Sequence, residues 1–94
     1  MSDPVVHRAF RVTGRVQGVG FRWFTRDLAR RLGLRGWVAN DPDGAVSGEV
    51  AGEASRVDEF VRALREGPPG ARVVDLHLDD AASGTPESPF EIRR

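Results

Sequence analysis

Ninety-four residues, 39% hydrophobic and 30% charged, describe an ordinary globular chain with material for one modest core. Fourteen arginines balance fourteen carboxylates, so no global field draws the chain to nucleic acid or to an anionic membrane. The lack of Lys, Cys and Tyr removes Schiff-base chemistry, disulfides, thiolate nucleophiles, thiolate metal ligands and a phenolic acid.

No apolar run approaches the ~20 residues of a membrane span. The opening MSDPVVHR has no signal-peptide core, so the expected location is the cytoplasm. No repeat or linker divides the chain, and residues 1–94 are expected to form a single domain.

Residues 1–3 read as a tail. Residues 7–16 then alternate, with Phe10, Val12 and Val16 on one face and His7, Ala9, Arg11, Thr13 and Arg15 on the other. That is the pattern of a half-buried strand. Phe21, Phe24, Leu28 and Leu32 recur at helical spacing, with Gly33 placed to end the helix. Residues 34–40 read as a second strand, and the DPDG of residues 41–44 as a turn. Residues 46–51 form a third strand with Val46 and Val50 on one face. Ser55 and Asp58 resemble a capping box ahead of a helical stripe of Val57, Phe60, Val61 and Leu64. Gly67-Pro68 stops that helix. Val74, Leu76 and Leu78 alternate in a fourth strand, residues 81–89 read as a loop, and Phe90 and Ile92 fit a short fifth strand.

The order βαββαβ predicts an α+β, ferredoxin-like sandwich. Two helices cover one face of an antiparallel sheet, and the other face is left to solvent. Because a strand–helix–strand crossover returns the chain parallel to its start, the first two strands end at the same edge of the sheet. The loop after strand one therefore meets Asn40 and the DPDG turn.

Gly18 and Gly20 let that loop curl, and its amides can form an anion-binding nest at a helix N-terminus. Arg22, in the first helical turn, opposes the helix dipole unless an anion sits beside it. Arg26, one turn on, adds like-charge repulsion that the same anion would relieve. On spacing alone Arg22 reads equally as a phosphate ligand or a solvated surface residue. Asn40 by itself reads as a strand-end residue.

GRVQGVGFR at residues 14–22 resembles the signature loop of the acylphosphatases, and GWVAN at residues 36–40 resembles that family's second motif. The likeness runs from Phe10 through both helices to the terminal FEIR. The resemblance implies an enzyme that hydrolyses the carboxyl–phosphate anhydride of a small acyl phosphate, with no metal and no cofactor. It implies that Arg22 binds the phosphate together with the backbone amides of Gln17, Gly18, Val19, Gly20 and Phe21. It also implies that Asn40 positions the attacking water. The chain departs from the family pattern at Asp41, whose carboxylate would repel an anion beside Asn40, and at Arg94, where many relatives end in an aromatic.

The implied partner is the small-molecule substrate, with no nucleic acid and no membrane, and a monomer is expected. The alternative is a non-catalytic module that binds an anion or carbamoyl phosphate. An RNA-binding sandwich would need exposed aromatics on its central strands, where this chain has His7, Arg11, Thr13, Arg15, Ser47 and Glu49.

The remaining polar and aromatic residues have plainer readings. Gly14 is structural, and the Gln17 side chain is a solvated loop residue. His7 and His77 are exposed on the polar face. Trp23 and Trp37 pack in the core or at its rim. Asp41, Asp43, Asp79 and Asp80 are turn and surface charge, and Arg30 and Arg31 complement a helix C-terminus.

Overall fold

The computed structural model describes residues 3–81 and 84–93; Met1, Ser2, Ala82, Ser83 and Arg94 lie outside it, and with them part of the expected tail and loop and the chain's last residue. The elements follow in the expected order: β1 (Val5–Arg15), α1 (Phe21–Arg31), β2 (Arg35–Asn40), β3 (Val46–Glu53), α2 (Ala54–Glu66), β4 (Arg72–Asp80) and β5 (Glu91–Ile92). They build one sheet in the order β4-β1-β3-β2-β5. All pairings are antiparallel except β2 with β5. This is the ferredoxin-like α+β sandwich, with the fifth strand formed.

The core lies between the sheet and the two helices. Phe10, Val12, Val46, Val50 and Val38 face inward from the strands, and Phe21, Ala29, Val57, Phe60 and Leu64 meet them from the helices. Phe10 and Phe60 pack edge to face at 5.5 Å, and Phe60 and Phe90 pack with tilted rings at 5.9 Å. Gly48 makes room for this cluster: a Cβ there would stand 2.8 Å from Phe10 Cζ and 2.0 Å from the Trp37 carbonyl oxygen. Burying each phenyl ring stabilises the fold by about 1.5–3 kcal/mol.

In α1 Phe21 is fully buried and Phe24, Leu28 and Leu32 are half-buried against the core, as their spacing requires, with Thr25 and Ala29 fully buried beside them; three other local expectations are corrected. Thr25 is tolerated there because its hydroxyl donates to the Phe21 carbonyl at 2.8 Å.

Ser55 does not cap α2. The helix starts two residues earlier than a Ser55 cap would set it, with Glu53 at the N-cap and no side-chain cap bond. Ser55 is already inside the first turn, and its hydroxyl bonds the Asp3 carboxylate instead.

Val74 and Leu78 are exposed, and of the three alternating apolar residues in β4 only Leu76 is buried. The register with β1 slips between Thr13 and Gly14, which face Asp75 and Val73 and leave Val74 unpaired. The extra residue shifts the alternation and turns Val73 toward the core.

Finally, His7 is not exposed. Its side chain is 11% exposed, and Nε2 lies 2.7 Å from Glu49 Oε1 across the open sheet face. The register pairs Ala9 with Glu49, which makes His7 its diagonal neighbour.

Candidate active site

The end of β1 and the start of α1 are joined by a tight curl. Gly18 and Gly20 take φ of 76° and 77°, in the left-handed region. A Cβ at either position would meet nothing within 4 Å, so conformation rather than space requires glycine. Alternation of handedness along such a segment turns successive N–H groups toward one side.

The first intrahelical bond of α1 runs from the Phe24 N–H to the Gly20 carbonyl, at 3.0 Å. The amides of Phe21, Arg22 and Trp23 therefore have no acceptor within the helix. No acidic residue occupies the first turn, and no side chain caps it. Among the described residues the dipole of α1 thus ends in open donors with no acidic residue in its first turn to meet them.

A pocket of about 240 Å³ opens at this point, lined by Val16, Gly18, Gly20, Phe21, Arg22, Trp23 and Asn40. Strand pairing explains how Asn40 arrives there. Asn40 faces Val46 on β3, which in turn faces Val12 on β1. The ends of β1 and β2 are parallel, one strand apart, at one edge of the sheet. Arg22 has no ion pair among the described residues.

Arg22, Asn40, Gly18, Gly20 and Phe21 are thus brought together. Gln17 and Val19 do not line the pocket. Val19 is half-buried against the core. Gln17, read from sequence as a solvated side chain, is instead a cross-tie. Its Nε2 donates to the Asp41 carbonyl at 2.8 Å and to the Ala45 carbonyl at 2.9 Å, binding the β1–α1 loop to the β2–β3 turn.

Two acids of that turn are held away from the pocket. Asp41 Oδ1 accepts from Ser47 Oγ at 2.8 Å, so the carboxylate beside Asn40 is drawn toward β3. Asp43 accepts the Ala45 N–H at 3.1 Å and pairs with Arg11. The Ala45 amide first, and the Arg11 guanidinium with it, hold the Asp43 carboxyl below its ordinary 3.8.

Trp23, 57% exposed, lines the pocket, although its sequence position favours core or rim packing over substrate stacking. Its place beside Arg22 in the first helical turn was the available signal. Among the described residues no helix is long and apolar enough to cross a membrane.

Comparison with known proteins matches this arrangement over nearly its whole length. A sequence profile of the acylphosphatases matches residues 8–92, which include both the glycine loop and Asn40. An acylphosphatase of Rhizobium etli is 52% identical over 81 residues, spanning 86% of this chain and 86% of the relative. That of Anaeromyxobacter dehalogenans is 48% identical over 93 residues, 99% of each chain. The crystal structure of an acylphosphatase from Bacillus subtilis superposes with a TM-score of 0.90 at 34% identity, over 97% of this chain and 100% of that one. With sequence and superposed backbone both in agreement, the chain belongs to the acylphosphatase family.

Proposed function

We propose that this chain, acting as one domain, cleaves the carboxyl–phosphate bond of a small acyl phosphate by in-line attack of water. Its family membership makes it an acyl phosphate hydrolase; the division of labour within the pocket is the proposal. The supporting observation is the single pocket shared by Arg22, Asn40 and the glycine loop.

The phosphoryl group sits against the open amides of the loop and the guanidinium of Arg22, whose planar fork matches its oxygens. Asn40 holds water through its side-chain amide on the face opposite the leaving group. The water oxygen bonds to phosphorus as the bond from phosphorus to the acyl oxygen breaks. The carboxylate departs as an anion and needs no proton. The water's proton passes to a phosphoryl oxygen, because an amide is no base. An acyl phosphate dianion and water thus give a carboxylate and dihydrogen phosphate. Positioning and charge stabilisation do the catalytic work.

One preorganised charged donor is worth about 3–4 kcal/mol of barrier, or 10²–10³-fold in rate. Arg22→Ala is expected to lose at least that much turnover of benzoyl phosphate, assayed with EDTA present, and to bind inorganic phosphate more weakly. Asn40→Ala is expected to lose kcat while keeping phosphate affinity. A fully active Asn40→Ala variant would remove the water-positioning role, and activity abolished by EDTA would remove the metal-free mechanism.

A further inference from the structure

Arg22 is the first member of a row. Arg22, Arg26 and Arg30 recur every four residues along α1, so they share one face with a rise of about 6 Å per step. With Trp23, Glu91 and Ile92 they line a second pocket of about 230 Å³. Arg22 and Trp23 line both pockets, so the second adjoins the first along these two side chains.

Three guanidinium groups at this spacing repel one another. Their compensation within the protein is thin. Arg26 lies 3.2 Å from its neighbour Asp27 and stacks over the Trp23 ring at 4.2 Å. Arg30 donates through Nε to the Phe90 carbonyl at 2.9 Å, a neutral acceptor. Glu91, on the far wall, is engaged by Arg93 at 3.3 Å. Neither Arg22 nor Arg30 has an ion pair among the described residues. A phosphoryl group held at Arg22 leaves the other two arginines still facing open space.

We propose that the second pocket receives the acyl half of the substrate, and that Arg26, with Arg30 beyond it, takes a second anionic group carried there. This inference rests on the phosphate being held at Arg22. The substrate class is then the acyl phosphates whose carbon skeleton ends in a carboxylate or phosphate about one helical turn from the phosphoryl group. Trp23 offers the intervening carbons an apolar face at the junction.

The test separates this site from the hydrolytic reading by measuring binding without turnover. Calorimetry compares 5-phosphonopentanoate with pentylphosphonate, which match the chain lengths of succinyl and butyryl phosphate and differ by a carboxylate in place of a methyl group about one helical turn from the phosphorus. Wild type is expected to prefer the carboxylate by about fivefold, the scale of one exposed charge pair. Arg26→Gln should bring that ratio close to one. Arg31→Gln, which removes the same charge outside the row, should keep it. Equal affinities in wild type, or equal loss of preference in both variants, would overturn the proposal. The kinetic counterpart is kcat/KM for succinyl phosphate over butyryl phosphate, expected to fall in the same ratio in Arg26→Gln. A phosphonate preference that is lost only in Arg26→Gln, with no turnover of either substrate, would support the second anion site and count against hydrolysis.

Discussion

Gln17 carries no charge and lines no part of the pocket, yet it fixes the distance between the two segments that do. Its amide spans from the glycine loop to the carbonyls of Asp41 and Ala45. Asn40 immediately precedes the first of these. Removing the amide in Gln17→Ala loses two hydrogen bonds, at about 1–2 kcal/mol of stability. The larger effect is expected on catalysis, because a water misplaced by an ångström costs roughly 100-fold in rate. The expected result is a kcat reduced by roughly 10- to 100-fold with phosphate affinity retained. A merely structural role would leave kcat intact once the protein is folded, so steady-state kinetics beside phosphate titration decides the matter. Arg22 and Asn40 could be found in the sequence because their surroundings are local motifs and the crossover rule brings those motifs together. The cross-tie at Gln17 could not, because hydrogen-bond partners 24 and 28 residues away are settled only by the packed geometry.

At the scale of the elements, periodicity was legible wherever pairing stayed regular and failed where it did not. The alternation in β1 and β3 placed Phe10, Val12, Val46 and Val50 correctly, because their register is unbroken from Val5 to Val12. The same pattern in β4 misplaced Val74. A register shift at Thr13/Gly14, opposite Asp75 and Val73, changes which of Val73 and Val74 points inward, and alternation alone does not reveal a bulge. The start of α2 failed for a related reason: helix ends are set by what precedes them. Here the Ala54 N–H donates to the Pro4 carbonyl at 2.9 Å, which lets the helix begin before Ser55. A measurable consequence follows. A capping serine replaced by alanine costs ~1 kcal/mol. Ser55→Ala is expected to cost less than about 0.5 kcal/mol, as an exposed surface change does. Urea unfolding at unchanged slope resolves the two values, and a loss at the capping level would restore the sequence-based assignment.

For the molecule as a whole, balanced charge and a compact aromatic core make the proposed anion pocket a local feature of a neutral body. The net formal charge is zero, so phosphate has no general reason to accumulate on this surface. The glycine curl and α1 nevertheless leave their donors open in the folded state only, since the left-handed glycines, the helix end and Asn40 meet through tertiary pairing. An anion that binds the native pocket and not the unfolded chain must therefore stabilise the entire fold. At a hundred times its dissociation constant inorganic phosphate is expected to add about 2.7 kcal/mol. For a domain of this size that is a rise in Tm of roughly 10 °C or more. Chloride at matched ionic strength should not reproduce the rise, because screening acts weakly on a balanced charge set. Arg22→Ala should lose most of the effect, whereas Asn40→Ala should keep it, since the role proposed for Asn40 is to hold water rather than phosphate. Thermal melts of the three proteins in phosphate and in chloride make the comparison. An equal rise in wild type and Arg22→Ala would place the bound phosphate elsewhere on the surface.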